Sequence, residues 1–552
     1  MKRGIRVVLI LAVLAVILAI QSARADTADP PEVTIGERLF LETRFAQFFF
    51  TNSHGNVNTV LPTGDPVMDT TETTTGGFTG PFAGQSMNCR ACHLVDEHGA
   101  TTGGGNRTYC DFARRSPIPA REDGKTHTPR NSPPLVNATL HRPGGMLLHF
   151  DGEFSSTADL VKGTFTGRNF GWLPAEGTQA LAHIVRVIRE DDGTGALAQN
   201  YSNLSYRVLF KGTDPSIPQE LRLPARFLVN VDKASDARVL NAVAKLVAAY
   251  TESLVFAQDE NGEFSGSPYD VFLKKNGLPR QPVPKEANLL YARRLRGLID
   301  ALANPVFVTW SDGTFAFHSQ AFQFGPQELD GLKIFLAEPP IPGLSQTNTA
   351  TSRIGNCLAC HAPPTFTDFH FHNTGATQQE YDALHGAGAF AALDVPDAVA
   401  RRADFDAFLP ATAKHPNAHG PFLAIPSAEQ AGVTDLGLWN VFGNPDEPRP
   451  QARLRRLLRQ DHPQLKRTEL LPLTVGLFKT PGLRDLADSG PYLHTGAKDT
   501  LEDVIQFYRD MSDLERDGQL RNGDSRLGGI TLSADDTAAL KAFLDSLTED
   551  YN

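Results

Sequence analysis

Apolar residues recur at helical spacing in five stretches of the chain. "TQALAHIVRVIRE" (178–190) and "SDARVLNAVAKLVAAYTESLVF" (235–256) carry an apolar stripe three to four residues apart, so each predicts an amphipathic helix. "QELDGLKIFL" (327–336), "TLEDVIQFYRDM" (500–511) and "LSADDTAALKAFLDSL" (532–547) predict three more. The last opens on Ser533 and Asp536, spaced like a capping box with Asp in place of Glu. Strand-like alternation is rare and short. Residues 51–86 are rich in Thr and Gly with little periodicity and predict a long loop. The pattern therefore predicts a mainly α protein with long irregular loops and little strand, and a boundary near Asp232. At 552 residues the chain exceeds one ordinary domain, and two are expected.

The first 25 residues form a different pattern. A basic start (Lys2, Arg3, Arg6) leads into an apolar run from Val7 to Ile20, closed by Ala23-Arg24-Ala25. This is the layout of a secretory signal peptide, and the run is short for a bilayer span of about 20 residues. Export to the periplasm with cleavage near Ala25 is expected, leaving no membrane span. Cleavage removes four basic residues and no acidic ones, which takes the net charge from −11 to −15. An acidic mature chain argues against nucleic acid. It suits a positively charged partner or simple solubility.

Four of the five cysteines then change the picture. "CRACH" (89–93) and "CLACH" (357–361) are two copies of Cys-x-x-Cys-His. Two thiols one helical turn apart can add across the vinyl groups of a haem, while His93 or His361 reaches the iron from the same side. Alternatives are a redox-active dithiol or a zinc site, but neither requires His directly after the second Cys. With five cysteines and 16 histidines, chance does not readily supply this pentad twice. Covalent haem on Cys89, Cys92, Cys357 and Cys360 is therefore expected. Cys110 is left over and reads as an inert buried thiol.

The order of landmarks resembles the bacterial di-haem cytochrome c peroxidase superfamily, which includes MauG-type enzymes. The resemblance runs from "TIGERLFLETRF" (34–45) through "PRNSPPLVNATL" (129–140), "FDGEF" (150–154) and "SPYDVFLKKNG" (267–277). It continues with "FHNTG" (371–375) and "FKTPGLRDLADSGPYLHTGAKDTLEDVIQFY" (478–508) to the closing helix. It implies two cytochrome c-like haem domains, residues 26–232 carrying the peroxide-reactive haem on His93 and 233–552 the electron-transfer haem on His361. It also implies a calcium ion between them, held by the Asn131 side chain and the carbonyls of Ser489 and Pro491. Oxygen donors suit such a hard cation. Glu176, in "LPAEG", matches the family's distal glutamate, which would move a proton during peroxide cleavage. Pro174 followed by Glu176 is also what any helix N-terminus favours.

Several positions depart from the family pattern. Leu160 replaces a distal glutamine found in many relatives. Asp123 stands where the activation-dependent peroxidases carry a blocking histidine, with His127 nearby but out of register, so an open reactive haem is expected. Phe150 replaces the bridging tryptophan between the haems and cannot donate a hydrogen bond. Tyr508 occupies the distal position of the second haem, where methionine is common; MauG-type enzymes have tyrosine there. Met511, one turn on, competes for that role. Insertions at 51–80 and 380–470 lengthen the chain.

The resemblance implies an exported oxidoreductase that reduces hydrogen peroxide with electrons from a small donor such as cytochrome c or a cupredoxin, or that oxidises a protein substrate in the MauG manner. A non-catalytic di-haem electron carrier and an oxygen-dependent di-haem oxygenase stay open, as does a homodimer.

Overall fold

A computed structural model describes residues 29–61, 88–90, 92–93, 115, 118–140, 142, 144–315, 320–340 and 352–549. The signal-like segment 1–25, most of the loop expected over 51–86, and Cys110 lie outside the described residues. Helices of eight or more residues are α1 (Pro31–Phe40), α2 (Thr157–Phe165), α3 (Gly177–Glu190), α4 (Asp236–Ser253), α5 (Pro268–Lys275) and α6 (Asn288–Asp300). They continue with α7 (Pro326–Phe335), α8 (Ala376–His385), α9 (Gln451–Asp461), α10 (Leu501–Arg516) and α11 (Asp536–Asp545). The sheet is minimal: β1 (Phe371–His372) pairs antiparallel with β2 (Phe478–Lys479), Phe371 opposite Lys479. The mainly helical expectation holds, and no described helix is long and apolar enough to cross a membrane.

All five helical stripes form helices, with shifted ends. α10 runs a turn beyond its expected end because Met511 and Ser512 are still buried. Its start is fixed by the Thr500 hydroxyl, which accepts the Asp503 N–H at 3.1 Å. α11 starts later than expected. The Ser533 N–H and hydroxyl both bond Asp536 Oδ2 at 2.8 Å, so the box forms one turn ahead of the first helical residue.

Two helix crossings organise the chain. α1 packs on α4, and α7 packs on α11. Each contact is made at a glycine. A Cβ on Gly36 would run into the Leu246 carbonyl oxygen, and one on Gly331 into that of Ala539. Only a glycine lets the backbones come so close. The two sites share a short repeat, Gly36-Glu-Arg-Leu-Phe40 and Gly331-Leu-Lys-Ile-Phe335.

The apolar core is divided. One cluster draws on residues from Val33 to Phe264 and includes the α1, α2, α3 and α4 stripes. A second gathers Tyr269 to Leu547, including α5, α6, α7 and α11. The division falls between Phe264 and Tyr269, some thirty residues after the boundary expected near Asp232, because α4 packs on α1 and α2. A third cluster comes from the 380–470 insertion, with Trp439, Leu454 and Leu458 at its centre and Leu147 and Phe371 joining it.

Replacing Gly36 or Gly331 by Ala should cost about 1–3 kcal/mol through overpacking. A lowered urea midpoint in both variants is the expected reading; unchanged midpoints would mean that the crossings are not this close.

Candidate functional site

The two pentads fold alike. Cys92 N–H donates to Cys89 O at 3.1 Å and His93 N–H to the same carbonyl at 2.9 Å. Cys360 and His361 repeat this on Cys357 O at 3.2 and 2.8 Å. In each motif the second cysteine and the histidine thus close back on the first cysteine's carbonyl. Each is also tied to the helix that makes its half's crossing. Cys89 N–H donates to Phe40 O at the end of α1, and Gly355 N–H to Ile334 O in α7.

Neither pentad forms a disulfide. Burial pushes the Cys89 and Cys357 thiols up to about 12. A reactive dithiol needs the opposite shift, so the redox-pair alternative is disfavoured. Among the described residues, two clusters of side chains could hold a metal: Cys360 with Asp368 and His372, and His149 with Asp151 and Glu153. Neither gathers two cysteines.

The histidines fit an axial role. Burial drives His93 down to about 4, against the pull of the Pro133 carbonyl, and its Nδ1 is buried without a hydrogen-bond partner. His361 is also lowered by burial, and its Nδ1 lies 2.8 Å from Phe366 O. Burial favours the neutral form of both imidazoles, and the contact at His361 Nδ1 leaves its Nε2 for iron. Both residues present therefore suit a haem held through thioethers.

Near the second pentad, Tyr508 lies on α10. Burial raises its phenol, and Cys360 and Cys357 add to the shift. Met511 is 3 % exposed and lays its sulfur against Gly375 in an apolar cluster with Phe507 and Leu520. Of the two competitors, Tyr508 is the one whose phenol feels the charge of the pentad's thiols.

Glu176 is more engaged than a free proton shuttle would be. Arg121 grips it at 2.7 and 3.0 Å, and Oε2 accepts the Leu173 N–H at 2.8 Å. Burial would raise this carboxyl, but the Arg121 and Leu173 donors outweigh it and hold it below the usual carboxylate range. The helix-start role weighed for it is thus real. Asp123 is paired to Arg168 at 2.8 and 2.9 Å, and His127 is exposed with Nδ1 3.0 Å from Thr126 Oγ1.

Asn131 and Pro491, 360 residues apart, meet: Asn131 Nδ2 donates to Pro491 O at 2.8 Å, and Asn131 N–H to His494 O at 2.7 Å. Asn131 Oδ1 accepts the Ser132 N–H at 3.0 Å. With the amide in this orientation the pair closes on itself, and the oxygen set is neutral. It fits calcium only with the amide turned, N and O being near-isosteric.

Phe150 lines a cavity of about 70 Å³ between the two halves. One wall is Pro133–Leu140, following Asn131; the other is the Thr365–Phe369 loop, following the second pentad. The Phe150 carbonyl accepts Lys479 N–H at 2.7 Å, and its ring lies 6.3 Å from that of His494. The insertion braces this segment. Arg453 on α9 donates to Met146 O and Ser155 O, both at 2.8 Å, and Arg130 joins Asp151 (2.5 Å) to Asp435 in the insertion (2.6 Å).

Residues that sequence reasoning missed include Arg121, Arg142, Lys479 and His372. His372 sits in the quoted "FHNTG". Burial lowers it, but Asp368 at 2.8 Å and Asp524 at 2.6 Å, one on each ring nitrogen, push it well above its ordinary range. It lies beside Cys360.

No family model matches the chain. Cytochrome-c peroxidase IdrP2 of Pseudomonas sp. (strain SCT) is 42 % identical over 76 residues, 14 % of this chain and 18 % of that protein. Cytochrome-c peroxidase IdrP2 of Denitromonas iodatirespirans is 26 % identical over 194 residues, 35 % of this chain and 36 % of that protein. Over these segments the chain is similar to bacterial cytochrome c peroxidases. It spans between about a fifth and a third of the length of the curated relatives it matches. A MauG-like protein associated with microbial copper homeostasis superposes over 95 % of this chain and 91 % of its own, at 16 % identity and a TM-score of 0.41. The diheme peroxidase BthA from Burkholderia thailandensis E264 does so over 96 % and 89 %, at 16 % and 0.42. At these scores the superpositions add nothing to the sequence matches.

Two outcomes follow from the charges around Phe150. Arg130→Ala leaves two buried carboxylates unpaired and should cost about 3–5 kcal/mol, read as a lower urea midpoint; no change would remove the brace. Glu447 is pushed up to about 8 by burial and by Glu153, Asp151 and Asp446. The native state then binds a proton that the unfolded chain lacks between its ordinary value of 4.5 and about 8, so stability falls as pH rises through that window. Glu447→Gln should raise Tm at pH 8 and leave it unchanged at pH 4; equal shifts at both would contradict the raised carboxyl.

Proposed function

We propose that the mature chain is an exported di-haem c-type oxidoreductase that reduces hydrogen peroxide, with His93 and His361 as proximal ligands and Tyr508 as the distal ligand of the second haem. The observation that carries this is the pair of Cys-x-x-Cys-His motifs, each closed by the same two backbone bonds onto its first cysteine, with burial favouring the neutral form of both imidazoles and Phe150 lining the cavity between the halves. Bound haem supplies the iron at which peroxide is cleaved and the store of electrons for it. Two electrons and two protons convert peroxide to two waters, and the protons must be moved by the protein.

Glu176, kept ionised by Arg121, is set to accept the peroxide proton at a carboxylate oxygen, and Arg121 steadies the carboxyl while it holds that proton. Phe150 fills the inter-haem space without a group that is easily oxidised. Tyrosinate at Tyr508 would favour the ferric and higher states, whereas methionine would raise the potential. That favours MauG-type oxidation of a protein substrate beside simple peroxide reduction. The acidic mature surface suits a basic donor such as a small cytochrome c or cupredoxin, in the periplasm. Calcium at Asn131, Ser489 and Pro491 is part of the same reading, with the Asn131 amide turned to present its oxygen. The full engagement of Glu176 with Arg121 and the Leu173 N–H favours the electron-carrier reading as the alternative.

A pyridine haemochrome assay on protein from a host that matures cytochromes should show haem c, with one high-spin ferric signal by electron paramagnetic resonance and peroxide-dependent turnover. Glu176→Gln should lower turnover by about 10²-fold or more with haem content unchanged. Two low-spin haems in both oxidised and half-reduced protein, with no turnover, would leave the carrier. Tyr508→Met should raise the potential of the second haem; an unchanged potential would remove Tyr508 as a ligand.

A further inference from the structure

Peroxide chemistry leaves one buried feature of the Phe150 cavity unused. Arg142 is 5 % exposed, and its Nε and Nη1 are buried with no hydrogen-bond partner. Its Nη2 makes long contacts alone, 3.4 Å to Ala138 O and 3.5 Å to Leu147 O, while the guanidinium lies 4.2 Å from the centre of the Phe369 ring. Lys479 faces the same cavity, and its Nζ donates to Leu147 O at 3.3 Å.

Charge around these cations is not balanced by the chain. Burial pushes Lys479 down to about 7, Arg142 adds to the shift, and Asp151 opposes it. Burial and the neighbouring Arg453 push Arg142 down to about 10. Asp151 is already committed to Arg130 at 2.5 Å. A buried guanidinium with open donors is costly and does not relieve the cost by losing its proton. Such a site is built for an anion that the chain itself does not supply.

Its position says which anion. Pro133, whose carbonyl faces His93, and Pro481, whose carbonyl faces His361, both line the cavity. The space, about 70 Å³, is too small for a free-standing substrate of any size but takes the carboxylate end of a larger group. We propose that Arg142 and Lys479 form a buried carboxylate clamp in the cavity between the pentads, filled by propionate side chains of the haems attached there. This rests on the haem reading above. By neutralising propionates in this cavity, the clamp would join the halves electrostatically beside Phe150.

The test uses the haem-loaded protein. Resonance Raman spectra of the wild type in H₂O and D₂O should show a propionate-bending band that shifts on exchange, and Lys479→Met and Arg142→Gln should each move that band with haem content unchanged. The same variants should lower the potential of a haem, since a cation beside an anionic group favours the reduced form. Acetate should leave wild-type Tm unchanged. Stabilisation of wild type by acetate, absent in the variants and with the band unmoved, would keep the clamp but assign it to a free carboxylate. A wild-type band indifferent to D₂O, with no acetate effect, would overturn the clamp whether or not the variants fold. Colourless protein would instead overturn the haem reading.

Discussion

Each half of this chain depends on one backbone arrangement, a Cys-x-x-Cys-His turn hung from a helix that crosses another helix at a glycine. The His93 and His361 N–H groups close their turns on the first cysteine's carbonyl. The turns are anchored to α1 and α7, and those helices approach α4 and α11 so closely that a Cβ at Gly36 or Gly331 would meet a carbonyl oxygen. Moving either crossing would move the imidazole and both sulfurs together. Rigid placement of this kind is what a large, covalently held cofactor needs, because errors in three attachment points do not average out.

Between the halves, contact is made by buried polar groups. Arg130 joins Asp151 to Asp435, Asn131 reaches Pro491, and Lys479 holds the Phe150 carbonyl. The 380–470 insertion, which had no purpose in the sequence, supplies a third apolar core and places Arg453 and Leu454 against the segment that carries Phe150. In the fold it backs the Met146–Ser155 segment from outside.

Much of this was legible in the residues. Helical stripes marked all five long helices they were read from, because an amphipathic face has to be buried whatever the tertiary arrangement. The pentads stood out because the same Cys-x-x-Cys-His spacing occurs twice in a chain with five cysteines. The domain division was harder. A boundary near Asp232 follows the break in pattern before α4, but that helix packs backward onto α1, and stripes do not say which partner they meet. The glycine repeat GERLF and GLKIF was visible and carried the internal similarity, yet five residues are too few to stand out without the crossing they serve. Arg121, Arg142 and Lys479 were illegible for another reason. A cation's partner, or its lack of one, depends on contacts between residues far apart in the chain, such as Arg142 with Phe369 or Arg121 with Glu176.

Covalent attachment at both pentads is the claim with the most resting on it, and intact mass spectrometry of the denatured, purified polypeptide tests it directly. The mass should exceed that of the cleaved chain by two haem groups, and by one when Cys357 and Cys360 are both replaced by Ala. A mass equal to the bare chain, or to the chain less the hydrogens of a disulfide in each pentad, would contradict it.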